Sequence, residues 1–237
     1  MKESPKDISK FYDEFSSQQS KTGVNIRHKT ILRNLKQNGL CNNSNVLEIG
    51  CGIGTVTGLI GKVVTKGKVI AVDISVQSIG VARKNNKGKS NIQFLVSDMS
   101  DFKSEIKFDV VVLPDVLEHI PVDQHKALFK TIRGNTHDSS FVLINIPNPP
   151  YLRWLHRNKP ELLQIIDQPL STDELLNSVY PNDFYVYSLN TYSLAIEEGD
   201  YQSIILKRGR FFEFPSVTYK SKFFNAIQTI RSKLNLS

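Results

Sequence analysis

The 237-residue chain has two cysteines, Cys41 and Cys51, and a single tryptophan. No apolar run approaches the ~20 residues that cross a bilayer as a helix. Two cysteines cannot build a disulfide framework, and their spacing fits no metal-ligand pattern; this usage suits a reducing cytosol. Met1 to Lys6 is polar and does not read as a signal peptide. No internal repeat or low-complexity linker is visible. These absences set aside disulfide-stapled secreted scaffolds, helical membrane proteins and solenoids. What is there is an ordinary balance of 40% hydrophobic and 22% charged residues, with length enough for one well-cored domain. A cytoplasmic location is expected.

The net charge of +7 is uneven. From Lys207 onward seven cations face one anion, Glu213, so this end carries +6 of the total. The basic character belongs to the tail, and no nucleic-acid partner is read from it. Within the tail, Phe223, Ile227, Ile230 and Leu234 recur at helical spacing, flanked by Lys220, Lys222, Arg231 and Lys233. That pattern fits a basic amphipathic helix on an anionic membrane surface, at the inner face of the membrane. The same stripe equally fits packing on protein.

The richest segment is Val46-Leu47-Glu48-Ile49-Gly50-Cys51-Gly52-Ile53-Gly54-Thr55. It reads as a buried strand, a glycine turn and a helix start. Glycines let a turn approach a ligand without an intervening Cβ, and the following helix would aim its N-terminus there. The third glycine comes one residue too early for the G-x-G-x-x-G of dinucleotide sites. Three more strand-like runs follow. Lys68–Ser75 ends in Asp73, whose carboxylate can accept hydrogen bonds from ribose hydroxyls; the alternative is a cap on the helix starting near Ser75. Ile92–Met99 ends in Asp98, and Phe108–Asp115 leads into Val116-Leu117-Glu118-His119-Ile120.

The E-x-G-x-G-x-G pattern, taken with these strand ends in order, resembles the class I S-adenosylmethionine-dependent methyltransferases. The D-V-L-E-H-I string resembles their branch of ubiquinone-biosynthesis and sugar O-methyltransferases. The resemblance covers about residues 10–208. It implies an α/β, Rossmann-like, doubly wound seven-stranded sheet with the last strand antiparallel and helices on both faces. It implies S-adenosylmethionine as cofactor, held by Glu48, Gly50, Cys51, Gly52, Gly54, Asp73, Ile74, Asp98, Met99 and Pro114. Asp98 would contact the adenine amino group and Met99 would pack on the ring.

The organisation follows. Residues 1–40 form an N-terminal segment, including Phe11–Phe15 and a helix over Ile26–Leu35, that closes over the cofactor. Arg27 on that helix is a candidate partner for the methionine carboxylate; the alternative is a solvated arginine. Residues 41–208 form the core, with helices near 54–64, 76–86 and 122–133, a fifth strand over Phe141–Ile146, and strands near 184–190 and 201–208. Residues 147–183 are an aromatic- and proline-rich insertion on the acceptor side, in which Ser171-Thr172-Asp173-Glu174 opens a short helix as a capping box. Residues 209–237 are the tail.

Asn148-Pro149-Pro150-Tyr151 spells the N-P-P-Y signature of amino-group methyltransferases, but it follows the fifth strand and not the fourth. It is read as a rigid strand exit. His119, at the carboxyl end of the fourth strand, is the candidate general base, because a hydroxyl acceptor must lose its proton as the new bond forms. Packing beneath the next helix is its alternative role. Glu118 could orient a ring or contact the acceptor. His28, His125, His137 and His156 read as solvated surface or loop residues. Asp115, Glu118 and His119 come nearest to a metal site, but the expectation is no metal. The resulting expectation is methyl transfer to a hydroxyl of a small-molecule or glycan acceptor, lipid-linked if the tail lies on a membrane. Transfer to a small amine, and a non-catalytic S-adenosylmethionine-binding subunit, are the alternatives.

Overall fold

The computed structural model describes residues 23–209; Phe11–Phe15 and the tail lie outside them. Within that span, strands and helices alternate from residue 46 to 147, and the expected parallel sheet forms. The strands are β1 Val46–Ile49, β2 Val69–Asp73, β3 Ile92–Val96, β4 Phe108–Pro114, β5 Thr136–Pro147, β6 Phe184–Tyr192 and β7 Tyr201–Arg208. They lie side by side in the order β3-β2-β1-β4-β5-β7-β6. β1 to β5 pair in parallel, and β7 runs antiparallel to both β5 and β6.

Period-two alternation divides the core between the two faces. Leu47, Val72, Val111 and Ile144 pack under α4 (Val122–Gly134) through Phe129 and Ile132, and under α6 (Thr172–Val179) through Leu175 and Val179. Val46, Val69, Val112 and Leu143 pack on the opposite face. There they meet Ile31 and Leu35 of α1 (Ile26–Gln37) and Val56 and Ile60 of α2 (Thr55–Val63). On that face too, α3 (Val76–Asn85) covers Ala71 and Phe94 with Ile79 and Ala82.

Two elements exceed the sequence expectation. β5 begins at Thr136, five residues early, through the polar run His137-Asp138-Ser139-Ser140. This stretch has no strand pattern. It is held by the Ser140 hydroxyl, which donates to the Phe108 carbonyl at 2.7 Å, beside a register shift in β4. Asn148-Pro149-Pro150-Tyr151 does follow β5, but it opens a helix, α5 (Pro149–Asn158). Proline is tolerated in a first turn, where the missing N–H has no intrahelical partner anyway. α6 starts where expected, with Ser171 and Glu174 closing the capping box. The strand order reverses between β1 and β4, which opens a crevice at their carboxyl ends, the usual ligand position of an open α/β sheet.

Candidate functional site

A cleft of about 1500 Å³ occupies that crevice. One end is made by the turn after β1. The Gly50 and Cys51 amides donate to the Val72 carbonyl at 2.8 and 2.9 Å, tying the turn to β2. Gly50 has φ +71°, and a Cβ there would overlap the Val116 side chain. Gly52 has φ +51° and donates its N–H to Asp73 Oδ2 at 2.7 Å. The Ser75 amide donates to the other Asp73 oxygen at 2.9 Å. Asp73 therefore braces the turn, while α3 is capped by Ser75, whose hydroxyl accepts from the Ser78 amide. α2 begins immediately behind the turn with Gly54 as N-cap and no side-chain cap. Its first-turn amides and the positive end of its dipole stand at this end of the cleft.

Glu48 lies fully buried beneath the turn, and neither carboxylate oxygen closes a hydrogen bond of normal geometry. Burial pushes its pKa up to about 8; Thr57 offsets part of the rise, and Asp73 adds to it. A buried, unpartnered carboxylate is costly to keep ionised. It fits a site that receives a cationic group, and the ammonium and sulfonium of S-adenosylmethionine are such groups. Burial, with Glu48 and Asp73 nearby, also pushes the Cys51 thiol well up, so it stays un-ionised. Asp98 is exposed at the end of β3. It accepts from the Ser100 hydroxyl and amide at 2.7 and 2.9 Å, which lowers its pKa. Met99 follows with φ +68° and is 3% exposed.

Glu48, Gly50, Cys51, Gly52, Asp73, Ile74, Asp98, Met99, Pro114, Arg27 and His119 all line this one cleft. Gly54 does not; its carbonyl turns away to accept from the Asn86 amide at 3.1 Å.

The other end is made of side chains. Asp115, at φ +56°, follows β4. Arg27 reaches from α1 to place Nε 3.0 Å from Asp115 Oδ2, and its Nη1 donates to the Tyr201 hydroxyl at 2.7 Å. The Asn145 amide donates to Asp115 Oδ1 at 2.8 Å, and the Tyr192 hydroxyl donates to Asn145 Oδ1 at 2.6 Å. Burial works against the Arg27 charge, but Asp115 and Tyr201 outweigh it and hold its pKa above the ordinary value. Burial raises Asp115, with Arg27 and Asn145 opposing. Arg27 is thus anchored within the fold and is not a solvated helix-face residue.

Glu118 is 1% exposed; neither oxygen closes a hydrogen bond, and Oε1 lies 3.8 Å from His119 Nε2. Burial first, then Asp115, drives its carboxyl well above the usual range. Next to it, His119 Nδ1 lies 2.5 Å from the Ile166 carbonyl and 3.3 Å from Asp167 Oδ1. A carbonyl oxygen only accepts, so Nδ1 carries the proton and the neutral ring has its lone pair on Nε2. The loop 163–168 that supplies these partners is itself fastened down. The Gln168 amide N–H donates to the Glu118 carbonyl at 2.9 Å, and its side chain donates to Ile120 at 2.7 Å.

Of the remaining histidines, His125 and His28 correct the expectation of solvated residues, while His137 and His156 lie at the surface as expected. His125 is fully buried, with Nε2 3.0 and 2.7 Å from the Leu117 and Ile120 carbonyls; burial lowers its pKa. It fastens the turn that carries His119. His28 closes a capping box with Asn25, and burial, then Arg27, holds its pKa down to about 4. His137 pairs with Asp109 at 2.8 Å, and His156 Nε2 lies 2.6 Å from the Asp167 carbonyl. Sequence reasoning missed Asp167, Asn145, Tyr192 and Tyr201. No periodicity marks them, since Arg27 and Tyr201 are 174 residues apart. Among the described residues, no group of three His, Cys, Asp or Glu side chains could hold a metal ion.

Residues 46–137 match the methyltransferase domain family. A malonyl-[acyl-carrier protein] O-methyltransferase of Bacillus anthracis is 29% identical over 102 residues, 43% of this chain and 36% of that protein. The chain spans only part of the curated relatives it matches: 28% of a putative methyltransferase of Invertebrate iridescent virus 6, and 25% and 36% of two malonyl-[acyl-carrier protein] O-methyltransferases. Among solved structures, magnesium protoporphyrin IX methyltransferase from Synechocystis PCC 6803 with bound SAH superposes with a TM-score of 0.68 at 15% identity, covering 86% of this chain and all of that one. N-methyltransferase NodS from Bradyrhizobium japonicum WM9 superposes with a TM-score of 0.60 at 18% identity, covering 78% and 95%. The match over residues 46–137 supports a methyltransferase domain there, and the superpositions show its fold.

Proposed function

We propose that this chain, which carries such a domain, transfers the methyl group of S-adenosylmethionine to a hydroxyl of a small-molecule or saccharide acceptor. The observation that carries the reading is His119. It lines the cleft with Nδ1 turned to the Ile166 carbonyl and Nε2 3.8 Å from Glu118 Oε1, so that Nε2 is the nitrogen that would accept a proton. The cofactor supplies an already activated methyl on a sulfonium, so the protein's share is in-line positioning and proton removal. His119 Nε2 would take the hydroxyl proton of the acceptor as the methyl group is transferred to its oxygen. Glu48, the turn amides and Asp73 would hold the cofactor, with Asp98 and Met99 at its adenine. Residues 1–40 would close over it, and residues 147–183 would shape the acceptor side. Ile120, Val122, Leu128, Ile165 and Ile166 give that side an apolar wall, suited to an acceptor with an apolar body.

A second reading, transfer to a small amine, is favoured by one specific feature. Asp115, Glu118 and Asp167 surround His119 with Arg27 as the cation ion-paired to Asp115, an environment that suits a cationic acceptor. Heavy-methyl S-adenosylmethionine incubated with the protein and a cell extract distinguishes the readings. Label in an ether oxygen–methyl group is the expected result; label confined to methyl esters overturns the hydroxyl reading, and label confined to nitrogen–methyl groups moves the assignment to the amine. No transfer to any fraction, with S-adenosylhomocysteine still bound, overturns both.

A further inference from the structure

α5 carries an outward face that the proposed chemistry does not use. Its inner side is occupied, because Pro149 and Leu152 are buried and the Asn148 side chain donates to the Gly199 carbonyl at 2.9 Å. Its outer side presents Pro150, Arg153, Trp154 and Arg157, at spacings of three, four and seven, all exposed. Trp154 is 50% exposed and stacks on Tyr151 with ring centroids 6.3 Å apart. Lys159 is exposed beyond the helix, and Leu162, in the short turn that follows, is 65% exposed. An indole and a leucine held in water among Arg153, Arg157 and Lys159, with Glu161 next in the chain, form an unusual surface for a protein meant only to stay dissolved.

We propose that this face docks on an anionic phospholipid surface. Tryptophan and tyrosine settle at the headgroup level of a bilayer, and arginine and lysine are attracted to its negative charge. The exposed Leu162 beside the indole favours a lipid surface, since nucleic acid is met by cations and stacking rings and an acidic peptide by cations. No helix among the described residues is long and apolar enough to cross a membrane, so the contact is peripheral. The face also sits beside the cleft. His156 on the same helix and Gln164 just after it line the acceptor end. Docking there would bring the cleft mouth to the headgroup layer, where a lipid-linked hydroxyl would be presented. The surface contact itself does not depend on the catalytic reading.

The single tryptophan makes the test local even in the full-length protein. The intact chain is titrated with vesicles of phosphatidylcholine alone and of phosphatidylcholine with phosphatidylglycerol, and Trp154 emission is followed alongside sedimentation. Emission should brighten and shift to the blue on anionic vesicles at low salt, return as salt rises, and stay unchanged on neutral ones. Arg153→Gln with Arg157→Gln should weaken partitioning by about thirtyfold, the combined effect of two basic residues at such a surface. Arg153→Lys with Arg157→Lys should bind as the native protein does. Sedimentation with vesicles while Trp154 emission stays as in water overturns the proposal, because binding then runs through another region. So do failure to sediment, native-like partitioning of the glutamine variant, and an emission shift produced by RNA or an acidic peptide but not by vesicles.

Discussion

The two ends of the cleft are built by different means. At the end proposed for the cofactor, the wall is backbone. A run of ten residues, 46–55, supplies the strand, the turn and the start of a helix, and one neighbouring carboxylate, Asp73, braces it at 2.7 Å. At the acceptor end the wall is side chains drawn from α1, the 115–119 turn, β5, the 163–168 loop and the β6–β7 pair. Arg27, Asp115, Asn145, Tyr192 and Tyr201 form one connected network there. A backbone site tolerates change in its side chains but not in its glycines. A side-chain network tolerates neither the loss of one partner nor displacement of the loop that holds it.

Substitutions at the two ends should therefore fail differently. The largest effect is expected at His119. His119→Ala should lower turnover by about 10²–10⁴-fold with cofactor affinity nearly intact; a variant with near-normal turnover would leave positioning as the only source of rate. Next, Gly52→Val should raise the dissociation constant for S-adenosylhomocysteine by about a hundredfold or more in calorimetry. It places a β-branched residue at φ +51° in the turn proposed to cradle the ligand. Unchanged affinity there would end the view that backbone geometry makes this end.

Asp167→Asn comes third and tests the acceptor end through its support. It should reduce kcat by about tenfold with little change in KM, and the nitrogen chemical shifts of His119 should show loss of the single Nδ1–H tautomer. A native tautomer signal in that variant would leave the Ile166 carbonyl as the sole orienting group.

The smallest effect concerns Glu48. Its folded pKa of about 8 lies above the ordinary carboxylate value, so the protonated form is the one the fold favours. Folding stability from this group is present at low pH and is lost as pH rises through about 8. A cationic cofactor group placed against it would ionise it, so binding near neutral pH should release up to about one proton. Calorimetry in buffers of differing ionisation enthalpy measures that proton, and Glu48→Gln should abolish its release. Release that persists in the glutamine variant would assign it elsewhere.

The same contrast explains what was readable from the residues alone. β1, β2 and β4 are short apolar runs ending at Gly50, Asp73 and Asp115, and α2 to α4 follow their expected spans closely, because each is specified by neighbours within a few residues. α5 was not anticipated, since Pro149-Pro150 suggests a break until its place in a first turn is known. The early start of β5 was hidden for a related reason: its pairing with Phe108 is supplied by Ser140, a polar residue with no strand signature. The solvated reading of His125 failed because a lone histidine on a helix looks the same whether its ring meets water or, as here, two carbonyls.

By itself the sequence determined the parallel sheet, the glycine turn, the carboxylates at the strand ends and the position of His119. All of these follow from local periodicity and turn chemistry, whose range is a few residues. Only the tertiary structure decided that Arg27 would pair with Asp115, that Glu118 would be buried without a hydrogen bond, and that Ile166 and Asp167 would fix the His119 proton on Nδ1. Those outcomes depend on contacts between segments 47 to 174 residues apart, and on the low-dielectric surroundings that only a closed fold creates.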